Sequence, residues 1–174
     1  MDEIDNFLKM LAKVQPPPKG FKHGSYADLL LSAGTSAVIS PPPDDPSFQV
    51  GIAGGCYGNA GQLALLPVSD LSRSRYQYVE GYAFKSDLPI PLAHAWVRDR
   101  QTGLFHDPTW SVDDGLEIIG RGIVWRTDFL REWVFKHEYW GIFGSDEWEQ
   151  LSLILRHGVD ADSVATLTPE LSFL

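Results

Sequence analysis

The chain has a single cysteine, Cys56, so no internal disulfide can form and the thiol stays available, which suits a reducing compartment. Basic residues are scarce as well: 14 Lys and Arg stand against 23 Asp and Glu, a net charge of −9. That balance repels a phosphate backbone and argues against nucleic acid as a partner. The excess acid serves solubility, although it would also favour a basic substrate. Long hydrophobic runs are missing. LALLPV and LAHAWV fall far below the ~18 consecutive apolar residues of a membrane span. The start, MDEIDNF, is acidic where a secretory leader is basic and then apolar. These absences predict a soluble, cytoplasmic protein with no membrane partner. There is no internal repeat and no extended low-complexity segment.

What is present suffices for one domain with a sizeable core: 174 residues, 44% hydrophobic and 21% charged. Ile4, Phe7, Leu8, Leu11 and Val14 recur at helical spacing over residues 2 to 14, and PPPKG ends that helix. Ser25 can cap a short helix over 25 to 32. The run SPPPDDP closes this N-terminal helical arm, residues 1–46. A core follows over 47–125. Gly54-Gly55-Cys56 leads into Ala60, Leu63, Ala64, Leu65 and Leu66, the pattern of a buried helix stopped by Pro67. RYQYVEGYAF, PLAHAWVRDR, LFHDPTW and EIIGRGIVW read as strands. The C-terminal part, 126–174, holds a helix capped by Thr127 and Asp128 and running through His137. A second helix starts near Ser145 and stops at Gly158. The expected class is α+β, an antiparallel sheet packed against a central helix carrying the cysteine, with flanking helices.

Three positions invite chemistry. A cysteine at a helix start meets free N–H groups and aligned peptide dipoles, which stabilise a thiolate. An imidazole beside it can accept and return the proton, and a carboxylate on the far ring nitrogen can hold the imidazole in orientation. His94 sits inside the apolar alternation of LAHAWV, and Asp107 follows the turn at Thr102-Gly103, so a hairpin can bring them together. His106 competes with Asp107, because strand neighbours point to opposite faces and only one can meet His94. A carboxylate is the better partner for an imidazolium.

With these residues in this order, the sequence resembles the transglutaminase-like superfamily, the cysteine-histidine-aspartate branch related to papain-like thiol enzymes. The resemblance covers roughly residues 54 to 110, through GGCYGNAGQLALL, YVEGYAF, HAWV and HDPTW. It implies Cys56 as nucleophile, His94 as acid–base, Asp107 as orienting carboxylate, and an antiparallel sheet against the cysteine helix. No tryptophan stands just upstream of Cys56, where some members stabilise an oxyanion. Gln49 could donate its amide instead, as papain-like enzymes do. Gly55 would let backbone approach the reacting carbonyl, beside the Cys56 N–H. Tyr57, Trp96 and Trp110 are candidates for the cleft wall.

Bland readings stand beside these. A lone buried cysteine is commonly an inert small hydrophobe. A single histidine in an apolar strand is commonly a satisfied core residue, aspartate before proline a turn residue, and aromatics at this density core. Zinc on Cys56, His94, His106 and Asp107 lacks the short ligand spacing of common sites, so no metal is expected. The resulting expectation is a cofactor-free cysteine-dependent amide hydrolase or acyl transferase, of protease, amidase, deamidase or transglutaminase type, acting on a protein, peptide or small-molecule amide. The alternative is an inactive transglutaminase-like binding module.

Overall fold

The computed structural model describes residues 2–66, 74–110, 116–143 and 148–165. The spaced apolar positions at the N-terminus form helix α1 (Asp2–Val14), which buries Ile4 and Leu8 completely. Helix α2 (Tyr26–Ala33) starts where a side chain can replace the missing helical acceptor: Ser25 Oγ accepts the Asp28 N–H at 3.2 Å. Asp28 in turn accepts the Gly24 N–H at 3.0 Å. Strand β1 (Thr35–Ser40) follows directly, in a stretch where the sequence reading placed no element. Then come α3 (Cys56–Leu65), β2 (Tyr76–Lys85), β3 (Leu92–Asp99), β4 (Phe105–His106), β5 (Ile118–Val124), α4 (Thr127–His137) and α5 (Trp148–His157). Among the described residues the chain is therefore mixed α+β, with five helices and five strands.

The strands close on themselves in the order β1-β4-β3-β2-β5. Four pairings are antiparallel, but β1 runs parallel to β4 through Ile39–Phe105 and Ser40–His106. Closure leaves each long strand with one face inside the barrel and one outside. Ala37, Ile39, Val79, Ala83, Trp96, Ile118 and Val124 fill the inside. Trp96 is the largest of these, and glycines opposite make its place. A Cβ on Gly120 or Gly122 would stand 2.8–3.0 Å from the indole, so any larger residue there would displace the ring.

The outer faces of β2, β3 and β5 pack against the helices. Tyr78, Ala95, Val97, Ile123 and Trp125 share one core with Leu8 and Leu30, with Ala60 and Leu63 of α3, and with Leu130 and Trp133 of α4. The N-terminal helices thus belong to the main core. Arg121 of β5 ties them further, donating to the Leu30 and Leu31 carbonyls at 2.9 and 3.0 Å and pairing with Asp5. A cation at the end of α2 adds a second donor to the Leu30 carbonyl, which already accepts the Gly34 N–H at 2.8 Å, and supplies one to the Leu31 carbonyl in the last turn.

Two boundaries differ from the sequence reading. LFHDPTW contributes only two strand residues, because Asp107 turns to bond the backbone ahead of it and Pro108 has no N–H for a ladder. Helix α4 has Arg126 at its cap position with no side-chain cap, and Thr127 is already helical. The buried helix ends at Leu65. The expected stops at Pro67 and start at Ser145 lie outside the described residues. Gly158, with φ of +85°, ends α5 as read.

Candidate active site

A left-handed turn at Gly54, φ +80°, delivers the chain to Gly55, the cap residue of α3, and Cys56 is the first helical residue. The Gly55 N–H is occupied by the Ile52 carbonyl at 3.2 Å. Positions 56, 59, 60, 63 and 64 share one helix face. Ala60, Leu63 and Ala64 on that face fix α3 in the core and leave Cys56 at its open end, a free thiol with 8% exposure.

His94 stands on β3, on the face that also carries Trp96, and is 3% exposed. The β3–β4 register pairs Val97 with His106 and Arg98 with Phe105. One step further along the hairpin, Asp107 comes opposite Trp96 and diagonal to His94. The imidazole Nε2–H donates to Asp107 Oδ2 at 2.7 Å, with both groups buried. Asp107 Oδ1 accepts the backbone N–H groups of Thr109 at 2.7 Å and Trp110 at 3.0 Å. The carboxylate therefore holds the imidazole with one oxygen and the turn with the other. Trp110 lies flat on the imidazole, ring centroids 3.8 Å apart.

Cys56 also bears on the protonation of the imidazole. Burial pushes the His94 pKa down, but hydrogen bonding to Asp107 and to Cys56, together with their charges, outweighs it and lifts the value to about 9. With Nε2 committed to Asp107, Nδ1 is the nitrogen left for the thiol. His94 is thus protonated at neutral pH and sits between two groups that favour its cation.

His106 does not compete. It points to the opposite face, donates from Nδ1 to the Pro41 carbonyl at 2.7 Å and stands edge-on to Phe48. Gly55 and Tyr57 flank Cys56 on α3, both half-buried. Burial, and then the Glu80 carboxylate, push the Tyr57 hydroxyl well above its ordinary range, so it remains a neutral phenol. Gln49 is exposed in the loop before α3, with no hydrogen bond to Cys56 or His94. Trp96 has no exposed surface: it is part of the barrel core behind His94 and not a cleft wall. Among the described residues no group of three or more His, Cys, Asp or Glu is arranged to hold a metal ion.

Two residues absent from the sequence reading assemble this geometry. Asn59, one turn into α3, donates from Nδ2 to the Ile52 carbonyl and to Thr109 Oγ1, both at 2.9 Å. It thereby joins the loop before Cys56 to the turn after Asp107, beside the bond from Gly51 N–H to the Pro108 carbonyl at 2.7 Å. An asparagine at helical spacing from the cysteine, amid small residues, was the available signal. Glu80 of β2, almost fully buried, accepts the Tyr78 hydroxyl at 2.9 Å and the Ile142 and Phe143 N–H groups at 2.7 and 2.9 Å. A charged residue at an otherwise apolar outer-face position of β2 was its signal.

A cavity of about 420 Å³ lies between α4 and α5, lined by Trp125, Phe129, Trp133 and Leu153 among others, and includes none of the residues above. No described helix is long and apolar enough to cross a membrane. No family model, curated protein or solved structure matches the chain.

Proposed function

We propose that the chain is a thiol-dependent amide hydrolase or acyl transferase with a transglutaminase-like arrangement, in which Cys56 is the nucleophile, His94 the acid–base and Asp107 the orienting carboxylate. The supporting observation is the buried 2.7 Å bond between His94 and Asp107, on an imidazole whose proton is also held by the influence of Cys56, the first residue of a helix. The thiolate sulfur attacks an amide carbonyl, and N–H donors at the start of α3 stabilise the developing oxyanion. The His94 imidazolium then gives its proton to the departing amine as the C–N bond breaks, leaving a thioester on Cys56. Neutral His94 next takes a proton from water or from an acceptor amine, which attacks the thioester and releases the thiolate. Asp107 keeps the ring in one tautomer and stabilises its cation throughout.

The near-complete burial of Cys56 and His94 favours a second reading, an inactive member that retains the fold to bind a partner. Incubation with an acylating, cysteine-directed probe followed by peptide mapping separates the two. The enzyme reading expects an adduct on Cys56 that turns over in water and disappears in Cys56→Ser. A folded parent protein that forms no adduct supports the binding module.

A further inference from the structure

We infer that the acyl group accepted by this site is uncharged and apolar, an inference that rests on Cys56 being the nucleophile. The chain is 21% charged, yet no Asp, Glu, Lys or Arg occurs in residues 46–69, 88–97 or 108–112, the three segments that supply Cys56, His94 and the turn after Asp107. Those same segments hold apolar side chains out in solvent. Ile52 is 77% exposed and Val50 63%, in the loop that runs into Cys56. Leu92, on the same face of β3 as His94, is 41% exposed, and Ile90 just before it is 52% exposed.

Their placement follows from contacts already described. Ile52 packs over Gly55, its Cγ1 3.0 Å from where a Cβ would stand, and its carbonyl accepts Asn59 Nδ2. The Gly51 bond to Pro108 sets this loop beside the turn carrying Thr109 and Trp110. Half-buried Trp110 covers the imidazole, and Leu92 continues the same strand face outward. The segments leading into Cys56 and His94 thus expose Val50, Ile52 and Leu92, with Trp110 stacked on the imidazole, and in the proposal these side chains form the rim of the entrance to the thiol.

Such a rim stabilises an apolar group by removing its surface, and the rim's, from water. A carboxylate or ammonium placed there would lose hydration, and the one cation these segments supply, the His94 imidazolium, is already engaged by buried Asp107. The discrimination therefore works against charge on the acyl side, adjacent to the carbonyl that Cys56 attacks.

p-Nitrophenyl esters of butyric, octanoic, succinic and 6-aminohexanoic acid test this. In each, the thiolate forms a C–S bond to the carbonyl, the C–O bond breaks, and p-nitrophenolate leaves with the electron pair. Rates of Cys56 acylation, followed by intact mass and divided by the rate of N-acetylcysteine with the same ester, remove intrinsic reactivity. Butyryl and octanoyl groups should exceed succinyl and aminohexanoyl groups by at least about tenfold. Leu92→Glu should lower the octanoyl rate and raise the aminohexanoyl rate, while Leu92→Met keeps the parental order. Acylation of Cys56 at equal normalised rates, or faster with a charged ester, overturns the inference and leaves the nucleophile in place. No acylation of Cys56 by any ester overturns both.

Discussion

His94 and Asp107, 13 residues apart on the two arms of a hairpin, are joined by a 2.7 Å hydrogen bond in which neither side chain retains appreciable exposure. A carboxylate in that position sets which ring nitrogen carries the proton and stabilises the imidazolium. Asp107→Asn keeps the size and can still accept from Thr109 and Trp110, but it removes the charge. Acyl turnover should fall by ~10²- to 10⁴-fold, by analogy with other triads, and the melting temperature should fall too, because the buried imidazolium loses its counter-charge. Steady-state rates and melts on the same preparations check this.

Protonation of His94 also links the site to pH. Its pKa rises from an ordinary 6.5 to about 9 on folding, so the folded state binds the proton more tightly than the unfolded chain. The resulting stabilisation is complete below the unfolded value and is lost as pH rises through about 9. The parent should lose stability between those limits more steeply than His94→Gln, in denaturant unfolding measured across that range. Catalysis that needs the imidazolium should decline over the same alkaline limb.

Asn59→Ala removes both bonds that tie the Ile52 loop to Thr109. Each is worth ~0.5–1.5 kcal/mol to stability, so the melting temperature should drop modestly. The larger effect should fall on acylation rate, since the two segments it joins carry Cys56 and Asp107. Crosslinking chemistry is not needed to see it: a kinetic loss well beyond the stability loss marks a positioning residue.

Glu80→Ala should destabilise far more than Asn59→Ala, because it leaves the buried Tyr78 hydroxyl and Ile142 N–H, and the part-buried Phe143 N–H, without their acceptor. Leaving buried donors unsatisfied costs ~1–3 kcal/mol each. Chemical denaturation of the pair of variants ranks them directly.

How far the sequence shows this molecule depends on how local each feature is. The helices at 2–14 and after Cys56, and strands β2, β3 and β5, carry their own periodicity, and the Ser25 cap is written in a single side chain. The meeting of His94 with Asp107 follows from alternation across one hairpin. Strand β1 was hidden because TSAVIS is short and abuts a proline run, and its partners lie at Phe105–His106 and on β5, far along the chain. Barrel closure was hidden for the same reason. Asn59 acts on Thr109, 50 residues away, so its role exists only after folding. Trp96 belongs to the core for a reason no local pattern gives: Gly120 and Gly122 vacate its space from another strand.

The central claim, a Cys56 thiol activated by His94, is tested most directly by the rate at which iodoacetamide alkylates Cys56 at neutral pH in the folded parent and in folded His94→Ala, against N-acetylcysteine as reference. The account predicts that the parent reacts faster than the reference and that His94→Ala slows it by more than about tenfold. A parent thiol slower than the reference, and unchanged by His94→Ala, would contradict it.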